Sequence, residues 1–162
     1  MSRSFGIAFA IGLAVIGLLV AGVMFMQRGD AIQIQMRVLK TRTAPLDETS
    51  TVAVMDSRVS NPSNLVLEVR QVTVEMVDAA GNTTTGDVIG EGDTKRVFEA
   101  LPILGQKFLE TLSMRQRIAP RSVGDYMVAA RFAAPVAQVD ARRRFVIHVE
   151  EADGKTFDFN ER

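Results

Sequence analysis

The chain contains one histidine, His148, the residue type that most often transfers protons at neutral pH. A single histidine cannot build a multi-histidine metal site or a metallohydrolase centre. A Ser-His-Asp set with distant partners stays open, although the sequence has no G-x-S-x-G nucleophile elbow. Phe145, Ile147 and Val149 alternate with His148 and would face the other side of a strand, so the pattern favours a solvated surface histidine.

Carboxylates are frequent enough to supply a glycosidase-like acid pair, but no spacing brings two of them together, and scattered surface acids are favoured. The stretch 86–93 is rich in glycine and acid, yet it lacks the acid spacing of a calcium loop and is predicted to be a solvated turn. The absence of cysteine excludes disulfides, thiol nucleophiles and zinc-thiolate sites. We therefore predict no catalytic, metal-binding or cofactor-binding residues, no cofactor and no enzymatic activity.

Basic residues form two groups in the sequence. If they share a surface, they could bind anionic lipid head groups or an acidic partner, but solvated strand ends are the favoured interpretation. Lys plus Arg and Asp plus Glu both number 19, so the chain lacks the positive excess that a nucleic-acid partner requires. The members of this candidate basic surface are Lys107, Arg115, Arg117 and Arg121, followed by Arg142, Arg143 and Arg144.

An apolar segment, residues 97–112, does not alternate as a strand would. Phe98, Leu101, Leu104 and Phe108 recur every three or four residues, which predicts one or two helical turns. Pro102 suits a first helical turn, and Gly105 would limit the helix soon after. The four apolar side chains either plug one end of the core or form an exposed interaction patch for a partner.

The N-terminal region is dominated by an apolar run of 22 residues, 5–26, which contains no charged side chain. As a helix this run would extend about 33 Å, which matches the hydrocarbon core of a bilayer. A cleaved signal peptide is the alternative, but its apolar region is usually about 7–15 residues long. The run therefore predicts an uncleaved single-pass anchor. Charge counting on its two flanks alone would place the following domain in the cytoplasm.

The remainder of the chain shows the pattern of short strands. Apolar residues alternate from Ile32 to Val38, and further β-rich runs follow at 51–59, 65–76, 83–89, 126–134, 145–149 and 156–159. The alternation changes phase near Arg70 and Gln71, which predicts a β-bulge. Strands separated by turns about every ten residues predict an all-β, two-sheet sandwich with one short helical insertion.

Two passages resemble known bacterial domains. Val59-Ser60-Asn61-Pro62-Ser63 and the following strand LVLEVRQVTVEM resemble the N-P turn and long bent strand of LEA14-like domains. The passage 118–124, which leads into YMVAARF, is similar to a turn and strand of FxLYD- and DUF4352-type domains, which often have glycine where Arg121 stands. The resemblance implies an immunoglobulin-like, extracytoplasmic module behind a signal anchor in the bacterial inner membrane. It carries no catalytic residues to this chain.

These features predict five segments along the chain: a flank (1–4), a transmembrane helix (5–26), a juxtamembrane segment (27–48), an immunoglobulin-like β-sandwich (49–159) and a tail (160–162). Whether a first strand lies within 27–48 stays open. We expect a membrane-anchored, non-enzymatic interaction or structural module that binds another protein, as an accessory component of an envelope membrane complex. A lipid- or small-ligand-binding sandwich with an apolar cavity and a hydrolase with an unrecognised acid pair are the alternatives.

Overall fold

The computed structural model describes residues 3–27 and 32–161, which fall into two compact units, Met1–Ala31 and Ile32–Arg162. The first unit contains one helix, α1 (Arg3–Gln27), whose described side chains, Phe9 and residues 11–24, are all exposed. The described residues include no helix that is both long and apolar enough to cross a membrane. The transmembrane helix expected at residues 5–26 is therefore not confirmed and stays a prediction.

The second unit is mostly β-sheet with two short helices, α2 (Glu91–Ala100) and α3 (Val136–Asp140), and a 3₁₀ turn at Pro102–Leu104. Its strands in the described region are β1 (Gln35–Pro45), β2 (Thr51–Asn61), β3 (Leu67–Val77), β4 (Thr83–Ile89), β5 (Glu110–Thr111), β6 (Arg117–Ile118), β7 (Ser122–Phe132), β8 (Arg144–Glu151) and β9 (Thr156–Asn160). β1 lies in the predicted juxtamembrane segment and pairs with β2 from Gln35 to Pro45.

The strands form a two-layer, sandwich-like fold in which β4 belongs to both layers. Hydrogen bonds join the strands in the order β1-β2-β7-β4-β3-β8-β9, while β5 pairs with β7 and β6 with β3. The first half of β4 pairs with β3 as far as Gly86, and the second half, from Asp87, pairs with β7. A Cβ at Gly86 would lie 2.7 Å from the Phe132 ring, so this corner of the sheet requires glycine.

The main core lies between the two layers, where the rings of Phe132 on β7 and Phe145 on β8 stack at a centroid distance of 5.2 Å. A second apolar cluster covers the outer face of the β1-β2-β7 layer, where Val52 and Val54 contact the cluster of Phe98 and Leu104. Both faces of β2 are therefore buried over most of its length. This accounts for the weak alternation of its sequence, because a strand buried on both faces has no polar side.

One local prediction is confirmed, and another is wrong. The register between β3 and β8 shifts between Val69 and Gln71, where the sequence predicts a bulge. The predicted turn at 86–93 is instead the end of β4 followed by the start of α2. Glu91 and Asp93 occupy the first turn of α2, where carboxylates interact favourably with the helix dipole, so the acids of this stretch begin a helix. The immunoglobulin-like strand arrangement stays a prediction.

Candidate interaction surface

Residues 91–111, which we call the α2 segment, form a layer over the outer face of β1, β2 and β7. The segment comprises α2, the 3₁₀ turn, an extended stretch and β5, which pairs in parallel with β7. Pro102 occupies the first turn of the 3₁₀ helix, and Gly105, with φ of 78°, ends it, as the sequence predicts. Phe98 and Leu104 contribute to the second apolar cluster, so the segment is held to the sheet by burial.

Arg42 on β1 fixes the middle of the α2 segment. Its Nη1 donates to the carbonyl oxygens of Leu104, at 2.6 Å, and Gln106, at 3.2 Å. Its Nη2 donates to both carboxylate oxygens of Asp56 on β2, and its guanidinium lies 5.2 Å from the centre of the Phe98 ring. One side chain thus ties together two strands, the 3₁₀ turn and α2, which restricts the motion of the loop that follows.

Glu91 fixes the two ends of the same segment. Its carboxylate accepts hydrogen bonds from Lys107 Nζ at 2.9 Å and from the backbone N–H of Thr111 at 2.8 Å. Burial raises the pKa of Glu91, but the bonds from Lys107 and Thr111 outweigh this effect and lower its pKa to about 2. The carboxylate is therefore ionised at neutral pH, and it joins the first turn of α2 to β5.

The structure divides the four predicted patch residues between core and surface. Phe98 and Leu104 are buried and Leu101 is partly buried, whereas 79% of Phe108 is exposed. Ile103 was not among the predicted residues, yet its side chain is 76% exposed. It directly precedes Leu104, which is buried. The helical spacing of the prediction finds three residues that are buried or partly buried, and it cannot reveal Ile103, which lies outside the pattern.

A cavity of about 420 Å³ lies between α2 and residues 105–107. Residues 105–107 fall between Ile103 and Phe108 in the sequence. It is lined by Lys95, Phe98, Glu99, Gly105, Gln106 and Lys107. The α2 segment therefore offers a concave region and two protruding apolar side chains on a backbone that Arg42 and Glu91 hold in place. Apolar side chains are frequent anchors of protein-binding surfaces. A loop that is already ordered also loses little conformational freedom on binding.

The two predicted basic groups do not form one surface, because Arg115, Arg117 and Arg121 lie near the start of β3 and the second group lies near its end. Lys107 is apart from both, on the α2 segment. Arg117 pairs in register with Glu68 and Arg144 with Val77, nine positions apart along the strand, which corresponds to about 30 Å. Several of these basic side chains also bind acidic or polar groups of the same chain. Lys107 binds Glu91, Arg117 binds Glu68, Arg142 binds Glu161 and Arg121 donates to Asn64, while Arg115 and Arg143 are exposed and Arg144 is half-buried.

His148 lies on the outer face of β8 between two carboxylates. Its Nδ1 is 2.7 Å from Asp158 Oδ1 on β9, and its Nε2 is 3.4 Å from Glu75 on β3, in a geometry that makes no hydrogen bond. Burial lowers the pKa of His148, but Asp158 and then Glu75 outweigh this effect, so that its pKa is raised above the usual value. The histidine is thus a half-buried member of an ionic cluster, where the sequence predicted a solvated one.

Three of the acids that could supply an acid pair are engaged by other groups. Asp125 binds Arg58, Glu150 lies 3.2 Å from Arg70, and Asp140 accepts a hydrogen bond from Thr43. Glu151 is buried, which raises its pKa. Within residues 3–27 and 32–161, no group of three or more His, Asp or Glu residues is arranged to hold a metal ion.

No family model and no curated protein matches this chain. Among solved structures, a protein described as ApaA from Bordetella pertussis is similar at 16% identity and a TM-score of 0.38, covering 82% of this chain and 91% of that one. An uncharacterised β-sandwich protein from Clostridium difficile 630 is similar at 14% identity and a TM-score of 0.34, covering 82% of each chain. The archaellum periplasmic stator protein FlaG from Sulfolobus acidocaldarius is similar at 11% identity and a TM-score of 0.35, and the match covers 79% of this chain and 99% of that one. Similarity at this level carries no argument about function.

Proposed function

We propose that this chain is a membrane-anchored, non-enzymatic binding module that presents the α2 segment to another protein. The observation that carries the proposal is the exposure of Ile103 and Phe108 on either side of buried Leu104. Exposure of large apolar side chains to water is unfavourable, so a partner that covers both on a fixed backbone gains free energy from their burial. Aromatic side chains in such positions are also the commonest anchors of protein interfaces.

The fixed conformation of the segment supports this role. Arg42 and Glu91 hold its backbone from the sheet side and along its length, so neither Ile103 nor Phe108 is needed to keep the segment in place. A surface whose exposed side chains are not required for folding can vary with the partner that it binds. The proposal includes an immunoglobulin-like arrangement of the sandwich, as the resemblance implies.

Photo-crosslinking in cells tests the binding surface directly. The full chain is produced with p-benzoylphenylalanine at position 103 or 108, and at position 85 as a matched control, because Thr85 is exposed on the other sheet layer. We expect a discrete protein adduct from positions 103 and 108 that is absent from position 85. No adduct at either position, or the same adduct from position 85, would overturn the proposal.

The anchor is the second part of the proposal, and it is supported by the 22-residue apolar run at 5–26. We place the β unit outside the cytoplasm, on the resemblance to exported modules. Alkaline phosphatase fused after Arg162 should be active in a bacterial host, with the anchor retained in the membrane after carbonate washing. An inactive phosphatase fusion together with a fluorescent cytoplasmic reporter would reverse the orientation, and release by carbonate would exclude the anchor.

A further inference from the structure

The outer face of the β1-β2-β7 layer has a second, polar part that the α2 segment does not cover. Arg37 on β1 stands directly opposite Arg58 on β2, and Arg58 stands opposite Asp125 on β7. Like charges in opposed positions of an antiparallel pair repel each other. Asp125 compensates the charge of Arg58, since it accepts hydrogen bonds from Arg58 Nε at 2.7 Å and Nη2 at 2.9 Å.

Arg37 has no carboxylate partner among the residues that the structure describes. The neighbouring acids on the adjoining strands and on the C-terminal residues are engaged elsewhere: Asp56 by Arg42, Glu161 by Arg142 and Asp158 by His148. Within the described part of the chain, no carboxylate lies within ion-pair distance of the Arg37 guanidinium. The exposed guanidinium is therefore not paired with any described carboxylate, and its five N–H donors suit an anionic ligand.

Both arginines line a groove of about 470 Å³, which we call the arginine groove. Its other outward-facing members supply mainly neutral hydrogen-bonding groups; they are Gln35, Ser60, Val123 and Asn160. The groove thus combines the guanidinium of Arg37, the remaining Nη1 of Arg58, two amides and a hydroxyl. Asp125, the carboxylate opposite Arg58 on β7, is already bound to Arg58.

We infer that the arginine groove binds an oxyanion of the phosphate type, held by Arg37 and Arg58 together. A guanidinium matches the spacing of two phosphate oxygens, and an anion placed between the two side chains removes their mutual repulsion. The same chemistry is presented by free phosphate and by the head group of an anionic lipid. This site is separate from the α2 segment, so its failure would leave the proposed binding of a protein partner untouched.

The test uses the full chain in nanodiscs and follows the Nε–H resonance of Arg37 by NMR together with the melting temperature. One arm adds inorganic phosphate to discs of neutral phosphatidylcholine at constant ionic strength. The other arm omits phosphate and includes phosphatidylglycerol in the discs. A shifted resonance and a raised melting temperature in the first arm assign free phosphate, and the same response in the second arm assigns the lipid head group.

Variants separate a specific site from general attraction to anions. Arg37→Gln should weaken the response by about tenfold, and Arg37→Lys should give an intermediate loss because lysine keeps the charge without the paired donors. Arg117→Gln is the matched control, since Arg117 is an exposed arginine on β6, paired with Glu68. No response in either arm, or an equal loss of melting-temperature response in the Arg117 and Arg37 variants, would overturn the inference.

Discussion

Arg42 Nη2 donates to both carboxylate oxygens of Asp56, at 2.8 and 2.9 Å, and the two side chains are only 14% and 18% exposed. Removing one partner of such a pair leaves the other charge buried and unpaired. Arg42→Met should therefore lower the free energy of unfolding by about 3 kcal/mol, as measured by chemical denaturation of the detergent-solubilised chain.

The matched control for this prediction is Arg117→Met, which breaks the exposed pair with Glu68 and should cost at most about 1 kcal/mol. Adding Asp56→Leu to Arg42→Met should recover part of the loss, because no buried charge then remains unpaired. Equal stability of the Arg42 and Arg117 variants would show that Arg42 does not fix the α2 segment.

Phe98 and Phe108 should respond differently to truncation, although both belong to one apolar pattern in the sequence. Phe98 is 8% exposed and packs on β2, so Phe98→Ala should cost about 3–5 kcal/mol. Phe108 is 79% exposed, and Phe108→Ala should change the unfolding free energy by less than about 0.5 kcal/mol. A large loss in the Phe108 variant would mean that the aromatic ring is part of the core and is unavailable to a partner.

These residues also show how far the sequence predicts the structure. Period-two alternation predicts most strands and the bulge near Gln71, because most strands other than β2 bury one face. Pro102 and Gly105 predict the 3₁₀ turn and its end, since they restrict or permit particular backbone angles. Arg121 adopts φ of 50°, a left-handed backbone angle that favours glycine and that an arginine in the sequence does not predict.

The features that the sequence does not predict depend on contacts between distant residues. Glu91 and Lys107 lie 16 positions apart, and Arg42 and Leu104 lie 62 apart, so no local pattern connects them. α2 begins with Glu91-Gly92-Asp93, which has weak helix propensity, and it is stabilised by packing on β2 and by the bonds of Glu91. The opposition of Arg37 and Arg58 likewise depends on a strand register that only the structure supplies.

Glu91 predicts a dependence of stability on pH. Its pKa falls from 4.5 to about 2 on folding, so its contribution is complete above pH 4.5 and is lost as the pH falls toward about 2. Glu91→Gln should therefore cost about 1 kcal/mol at pH 7, a figure reduced because the carboxylate is more than one-third exposed. Thermal melts between pH 7 and pH 2.5 should show the wild-type and variant curves converging. A difference that stays constant with pH would mean that the charge of Glu91 does not stabilise the segment.

Gly86 lies where β4 passes from one layer to the other, and it should not tolerate a side chain. A Cβ at this position would lie 2.7 Å from two atoms of the Phe132 ring and 3.2 Å from Ala130 Cβ, in the main core. Since Phe132 is buried and stacked on Phe145, its ring has little room to move. Gly86→Ala should lower the free energy of unfolding by about 1–3 kcal/mol, as overpacking does in other cores.

Gly92 provides the matched control, because a Cβ there meets no atom within 4 Å and the residue lies inside α2. Gly92→Ala should leave stability unchanged or raise it by about 0.5 kcal/mol, since alanine loses less backbone entropy in a helix. The clash itself is isolated by combining Gly86→Ala with Phe132→Leu, which removes ring atoms that face the new methyl group. If the clash causes the loss, the double variant will be more stable than the sum of the two single losses predicts. Strict additivity would mean that the loss in the Gly86 variant does not arise from the contact with Phe132.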